Sequence, residues 1–132
     1  MNVMADNPGT RLPGRALDDL ERSTLMFLLS VDFVGRDAFL RQADTARVVG
    51  KCDCGCATID LWVDHHNLAA AVGAREPVPV EARSKEEGEA FTELLLFAKE
   101  GWLQSFESVY VSEKPPAVFP PTEYYLPPEP NN

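Results

Sequence analysis

The chain has 132 residues, of which 12 are Lys or Arg and 21 are Asp or Glu, so its formal net charge at pH 7 is −9. This length suits one domain, and 45% apolar with 25% charged residues is an ordinary composition for a folded globular protein. The negative field repels nucleic-acid phosphates and anionic lipid headgroups, which argues against nucleic-acid binding and against membrane-surface binding.

The N-terminal segment contains turn-forming pairs and little apolar content. Pro8-Gly9 and Pro13-Gly14 interrupt regular structure, so residues 1–15 are predicted to form a flexible N-terminal arm. The pattern of a secretory signal is not found here, and the apolar stretch at residues 25–29 is too short to span a membrane. We therefore expect a cytoplasmic protein.

A helical pattern begins after this arm. Apolar side chains recur every three or four residues from Leu17 to Val31, and Asp18 and Glu21 have the spacing of a capping box. A second, shorter helix is predicted over residues 37–46. Each helix is expected to bury one apolar stripe against the rest of the domain.

After the second helix the apolar period changes to two, which is typical of strands. Residues 48–52 and 58–64 are predicted to form one antiparallel hairpin. Residues 91–98 and 102–112 are predicted to form another, because Gly101 can supply the left-handed backbone that a tight turn requires.

A further strand is predicted between the hairpins, at residues 78–83. Pro79 cannot donate to a strand ladder, so this strand is expected at an edge. The run Leu94–Phe97 is nearly continuous in apolar residues, which predicts a strand covered on both faces. The whole pattern predicts a single α+β domain over residues 16–114, with two N-terminal helices packed on an antiparallel sheet of about five strands.

The C-terminal segment, residues 115–132, holds seven of the eleven prolines of the chain. This density argues against regular helix or sheet and favours an extended backbone. Aromatic residues are interleaved with the prolines, and they suit burial better than solvent. We therefore expect this proline-rich tail to pack partly on the domain.

Three cysteines and two histidines form the sharpest local cluster. Cys52, Cys54 and Cys56 alternate along one segment, and His65 and His66 follow Cys56 by nine and ten residues. Three thiolates and one imidazole suit tetrahedral zinc, although gaps of one residue between the cysteines are unusual in zinc sites. The interpretation without a metal is that the segment is a hairpin turn with three free thiols. We expect no cofactor, with zinc as the alternative, and either state fits a reducing cytoplasm.

Another group of residues suits contact with a protein partner. Trp62 alternates with Asp60 and Asp64 on the side of its strand opposite the buried residues, and Tyr124 and Tyr125 add aromatic side chains in the tail. Together with the acidic surface they favour a non-catalytic module that binds a basic protein. Its role is predicted to resemble that of an immunity protein, which neutralises a basic effector. The alternative is a zinc-stabilised protein or a metal-dependent enzyme that uses the cysteine cluster.

The sequence assigns no catalytic residue. It contains no Gly-x-Ser-x-Gly elbow, no Gly-rich phosphate loop and no His-Glu-x-x-His helix. Glu107 is expected to point to solvent, and the alternative is a general base, Glu107 or His65, in a pocket between helices and sheet. A monomer or weak dimer is expected, because Pro79 opposes long edge pairing.

Segments of the chain resemble a family of small bacterial proteins, mainly of actinobacterial type. They are residues 29–36, residues 50–61 with their Cys-Asp-Cys-Gly-Cys turn, residues 101–107, and the Pro-Pro-x-x-Phe-Pro sequence of residues 115–120. The likeness covers most of residues 17–121. It implies that the cysteine turn and the tail belong to the domain, and it carries over no activity.

Overall fold

In a computed structural model of the protein, the described residues are 12–51, 57–85, 92–110 and 119–131. Within them the chain forms strands, two α-helices and one short 3₁₀-helix. In chain order these are β1 (Arg15–Ala16), α1 (Asp19–Leu28), α2 (Arg36–Asp44), β2 (Arg47–Lys51), β3 (Ile59–Trp62), β4 (Val80–Arg83), β5 (Thr92–Lys99), β6 (Trp102–Tyr110), the 3₁₀-helix (Thr122–Tyr124) and β7 (Glu129–Pro130). Neither α-helix is long and apolar enough to cross a membrane.

The strands form one antiparallel sheet in the order β1-β2-β3-β6-β5-β4-β7. The α+β fold is as predicted, and both predicted hairpins are present as β2–β3 and β5–β6. The sheet has seven strands among the described residues, more than the five or so expected. Arg15–Ala16 and Glu129–Pro130 add a two-residue strand at each edge, and such short pieces show no apolar period in the sequence.

The prediction that residues 78–83 form an edge strand is wrong. β4 begins at Val80, after the proline, and it pairs with β5 on one side and with β7 on the other. The carbonyl of Pro79 accepts a hydrogen bond of 2.9 Å from the Asn131 N–H of the tail. A proline at the entrance of a strand removes no ladder hydrogen bond from its interior.

The start of α1 confirms the predicted capping box. The carboxylate of Asp18 accepts from the Glu21 N–H at 2.7 Å, and that of Glu21 accepts from the Asp18 N–H at 2.9 Å. Both terminal nitrogens of Arg15 donate to the same Glu21 carboxylate at 2.8 Å. This hydrogen-bonded pair holds the pKa of Glu21 below its ordinary value and ties β1 to the helix.

Both α-helices lie on one side of the sheet, which we call the inner face. The core between them is built from Leu25 and Leu28 of α1, Phe39 and Ala43 of α2, and the inner side chains of β2 to β6 (Val48, Ile59, Leu61, Val80, Ala82, Leu94, Leu96, Ala98, Leu103 and Phe106). Phe119 of the tail stacks on Phe106 with ring centroids 5.0 Å apart. The described part of the tail therefore contributes to the same core.

The turn between β5 and β6 is held by contacts from outside the hairpin. Glu100 and Gly101 both have positive φ, 54° and 86°, which confirms the predicted left-handed glycine. The carboxylate of Glu76 accepts from the Glu100 and Gly101 N–H groups at 2.8 and 2.7 Å. The Ala71 N–H donates to the Gly101 carbonyl at 2.8 Å, so the loop between β3 and β4 is fastened to this turn.

Candidate docking surface

The face of the sheet opposite the α-helices, which we call the outer face, carries no helix in the described ranges. Side chains alternate between the two faces along each strand, and the strand register fixes which of them share the outer face. They are Arg47 of β2, Asp60 and Trp62 of β3, Glu81 and Arg83 of β4, Glu93, Leu95, Phe97 and Lys99 of β5, and Trp102, Ser105, Glu107 and Val109 of β6.

β5 differs from the strand predicted from its apolar run. Leu94 and Leu96 are fully buried on the inner face, whereas Leu95 and Phe97 are only half-buried on the outer face. The described residues confirm the predicted cover for the inner face only. A continuous apolar run is equally compatible with cover from the same chain and with cover from a partner, so the sequence missed these two residues as surface candidates.

The apolar side chains of the outer face lie among its carboxylates. Phe97, Ser105 and Asp60 form one line across β5, β6 and β3, because Phe97 pairs with Ser105 and Ser105 with Asp60. Leu95 and Glu107 are paired in the neighbouring line. Apolar and acidic groups are thus interleaved on a surface without a described cover, and such a surface suits a protein interface.

A groove of about 460 Å³ opens on the outer face beside the β5–β6 turn. Phe97 and Ser105 line it, together with Pro77 of the preceding loop and Glu107 of β6. Lys99 and Glu76 also line the groove, and both are exposed. Its size lies in the range of roughly 300–1,000 Å³ that is typical of sites for small ligands.

Three carboxylates of the outer face, those of Asp60, Glu81 and Glu107, form no ion pair with a described Lys or Arg, whereas Glu93 has one with Arg83 at 3.9 Å. Burial raises the pKa of Glu107 above its ordinary value of 4.5, and the nearby charge of Asp60 raises it further. The free protein therefore holds the Glu107 charge at some energetic cost.

The variant Glu107→Gln is expected to be more stable than the wild type at pH 7. Because the folded-state pKa of Glu107 is raised, its contribution to stability is complete below the unfolded-state pKa and is lost as the pH rises through the folded-state pKa. The gain at pH 7 is about 0.5 kcal/mol, since a half-exposed carboxylate keeps much of its hydration. Urea unfolding at pH 7 and below pH 4 measures it, and a gain that persists in acid contradicts the electrostatic explanation.

The structure separates the residues predicted to bind a partner. Asp60 and Trp62 lie on the outer face, as the alternation predicts. The Asp64 carboxylate is engaged in a turn instead, where it accepts from the His66 N–H at 3.0 Å and from the Asn67 side-chain amide at 2.7 Å. The hydrogen bond from Asn67 is the main reason why the pKa of Asp64 is lowered.

The two tail tyrosines lie away from the outer face. Tyr125 is 2% exposed and packs in the core against Phe27 of α1, with ring centroids 6.0 Å apart. Burial raises the pKa of its hydroxyl. Tyr124 is 39% exposed and contacts Tyr125 edge-on. Tyr125 is therefore too buried to contact a partner. The sequence alone does not distinguish the two positions, because aromatic residues of a proline-rich segment can pack in a core or in an interface.

The predicted zinc ligands fall partly outside the described residues, which do not include Cys52, Cys54 and Cys56. Within the described ranges, no group of three or more His, Cys, Asp or Glu residues could hold a metal ion. His65 stacks on Trp102 of β6 with ring centroids 3.8 Å apart and an angle of 12° between the planes. His66 is exposed in the same turn.

Strand β3 lies between the cysteines and the histidines in the chain, and its length affects whether they could form one zinc site. Ala57, the first described residue after the cysteines, precedes β3, and His65 follows the other end of the strand. Four residues of strand span roughly 10 Å between their first and last Cα atoms, so the described chain adjoining the cysteines leads away from the histidines. Zinc binding stays a prediction.

Comparisons of the chain with protein-family models, with curated proteins and with solved structures find no match. The resemblance noted in the sequence therefore rests on its own segments alone.

Proposed function

We propose that the protein is a non-catalytic binding module that takes a basic protein partner on its outer face. The observation that supports this most directly is the combination of half-buried apolar side chains with two carboxylates, Asp60 and Glu107, that have no ion pair among the described residues. Burial of the apolar side chains would supply binding free energy, and cations of the partner would neutralise the carboxylates.

The overall charge supports the same class of partner. A net charge of −9 attracts a cationic protein over distances of about a Debye length and accelerates their association at low salt. The same charge opposes pairing of two copies through their acidic faces. The biological role that fits is that of a cytoplasmic immunity protein, which binds a basic effector and thereby neutralises it.

The variant Asp60→Lys is expected to weaken partner binding by at least about thirty-fold, because it removes one attractive charge and adds a repulsive one at the interface. Asp44→Lys is the matched control, since it makes the same charge change at an exposed position of α2, on the inner side of the sheet. The partner is captured at low salt from a lysate of the producing organism, purified, and titrated by calorimetry against each variant.

Two outcomes contradict the proposal. If a purified partner has the same Kd for Asp60→Lys and Asp44→Lys, its binding surface is not the outer face. If the captured proteins are acidic, or if the Kd does not rise with salt concentration, the charge argument fails.

A further inference from the structure

Building on the proposed function, we propose that the groove between Phe97 and Glu107 is the anchor site for one arginine side chain of the basic partner. In this groove an aromatic surface and a depression meet the Glu107 carboxylate, which has no ion pair with a described residue, and Asp60 lies beyond Ser105 on the next strand. Each of these features corresponds to one part of an arginine side chain.

The floor of the groove suits the flat and apolar parts of arginine. Phe97 is half-buried, with its side chain on the outer face, and Pro77 adds an apolar wall. A guanidinium group stacks on aromatic rings, and the aliphatic stem of arginine packs on apolar surface while the charged end stays at the rim.

The strand register places the two carboxylates around one small residue. Ser105 pairs with Phe97 on β5 and with Asp60 on β3, and Glu107 lies two residues further along β6 on the same face. Directly opposite side chains are about 5 Å apart at Cβ, and diagonal ones about 7–8 Å. A guanidinium stacked on Phe97 above the Ser105 side chain is therefore within reach of the Glu107 carboxylate. The Asp60 carboxylate is turned toward Gly50 of β2 and adds its negative charge from the neighbouring strand.

The other charges that line the groove leave Glu107 as the acceptor. The Glu76 carboxylate already accepts two backbone N–H groups of the β5–β6 turn. Lys99 lies at the turn end and makes no ion pair with a described residue, so it repels a cation from that end. Both effects favour a cation at the Glu107 end of the groove.

Arginine fits this arrangement better than lysine. The planar guanidinium donates two parallel hydrogen bonds to a carboxylate and stacks on Phe97 at the same time, whereas an ammonium group acts as a point charge and keeps its hydration. A bound guanidinium would also relieve the strain that burial and Asp60 impose on the charged form of Glu107.

The test uses the full chain labelled with ¹⁵N and small probes in place of the partner. N-acetyl-arginine methylamide is titrated at constant ionic strength, in parallel with the corresponding lysine and citrulline compounds. We expect saturable shifts of the Phe97, Ser105 and Glu107 amide signals with the arginine probe, weaker binding of the lysine probe, and no saturation with the neutral citrulline probe.

Two variants assign the effect to the groove. Glu107→Gln is expected to weaken binding of the arginine probe about ten-fold, the loss that corresponds to one charge-assisted hydrogen-bonded pair. Glu93→Gln is the matched control, because it removes a carboxylate from the same face that is already paired with Arg83. Phe97→Leu is expected to reduce the preference for arginine over lysine while the charge stays constant.

Three outcomes would each overturn the anchor site. They are equal binding of the arginine and lysine probes, amide shifts spread over residues near many carboxylates, and equal losses of binding in Glu107→Gln and Glu93→Gln. If the arginine probe fails while a purified partner still distinguishes Asp60→Lys from Asp44→Lys, the anchor is wrong and the proposed function stands. If the partner does not distinguish those two variants, the proposed function fails by itself.

Discussion

Replacing Gln42 by alanine is expected to lower the free energy of unfolding by about 3 kcal/mol or more. The Gln42 side chain is fully buried on α2, where its amide nitrogen donates to the carbonyls of Gly101 and Ala69 at 2.9 and 3.1 Å. Its carbonyl oxygen accepts from the Leu103 N–H at 2.9 Å. One side chain thus joins α2, the loop before β4 and the β5–β6 hairpin.

The large expected effect has two sources. Alanine leaves the buried Leu103 N–H without its partner, at a cost of about 1–3 kcal/mol, and the Gly101 carbonyl keeps only the hydrogen bond from the Ala71 N–H. It also leaves a cavity, which adds to the loss. Gln42→Leu fills most of the cavity and still leaves the Leu103 N–H unsatisfied, so the difference between the two variants separates the sources.

Urea unfolding at pH 7 measures both variants. Gln104→Ala is the control, because Gln104 is an exposed residue of β6 that lies at a bulge, with no residue of β5 opposite it. Its replacement is expected to change stability by less than about 0.5 kcal/mol. A loss below about 1 kcal/mol in Gln42→Ala would mean that water replaces the three hydrogen bonds. It would contradict the role of Gln42 in joining the elements.

Local signals explain which parts of the fold the sequence predicts. Some features depend only on residues that are close in the chain, and these can be predicted from the sequence. They are the capping box of Asp18 and Glu21, the two hairpins and the left-handed Gly101. The contacts of Gln42 join residues 59 and 61 positions apart. A glutamine in an amphipathic helix carries no local sign that it will be buried, and its role appears only in three dimensions.

The candidate surface shows the same division. Strict alternation along β3 predicts that Asp60 and Trp62 share the outer face, and the structure places them there. Phe97 belongs to a continuous apolar run, and each residue of such a run is predicted to lie in the core. Its position on the outer face could not be predicted, because it depends on which other segments of the chain cover that face. Tyr125 gives the opposite case, because its burial depends on where the tail crosses α1.

Replacing Gly101 by alanine is expected to lower the free energy of unfolding by about 3 kcal/mol, for two physical reasons. The φ of 86° is unfavourable for any residue with a Cβ atom, at a cost of about 1–2 kcal/mol. The added Cβ would also overlap the carbonyl oxygen of Ala71 and lie 2.8 Å from the Cβ of Ala70. The loop therefore has to move away from the turn, which weakens the hydrogen bond from the Ala71 N–H.

Gly73→Ala is the matched control for this variant. Gly73 has a similar φ of 79°, but a Cβ there would meet only the Val34 side chain, at 3.3 Å. Gly73→Ala is expected to lose only the same conformational term of about 1–2 kcal/mol, so the difference between the two variants in urea unfolding isolates the steric term. Because Gly101 and Gln42 hold the same turn, the double variant is expected to lose less than the sum of the single losses. Equal losses at the two glycines, or strict additivity with Gln42→Ala, would show that the turn does not depend on its close contact with the loop.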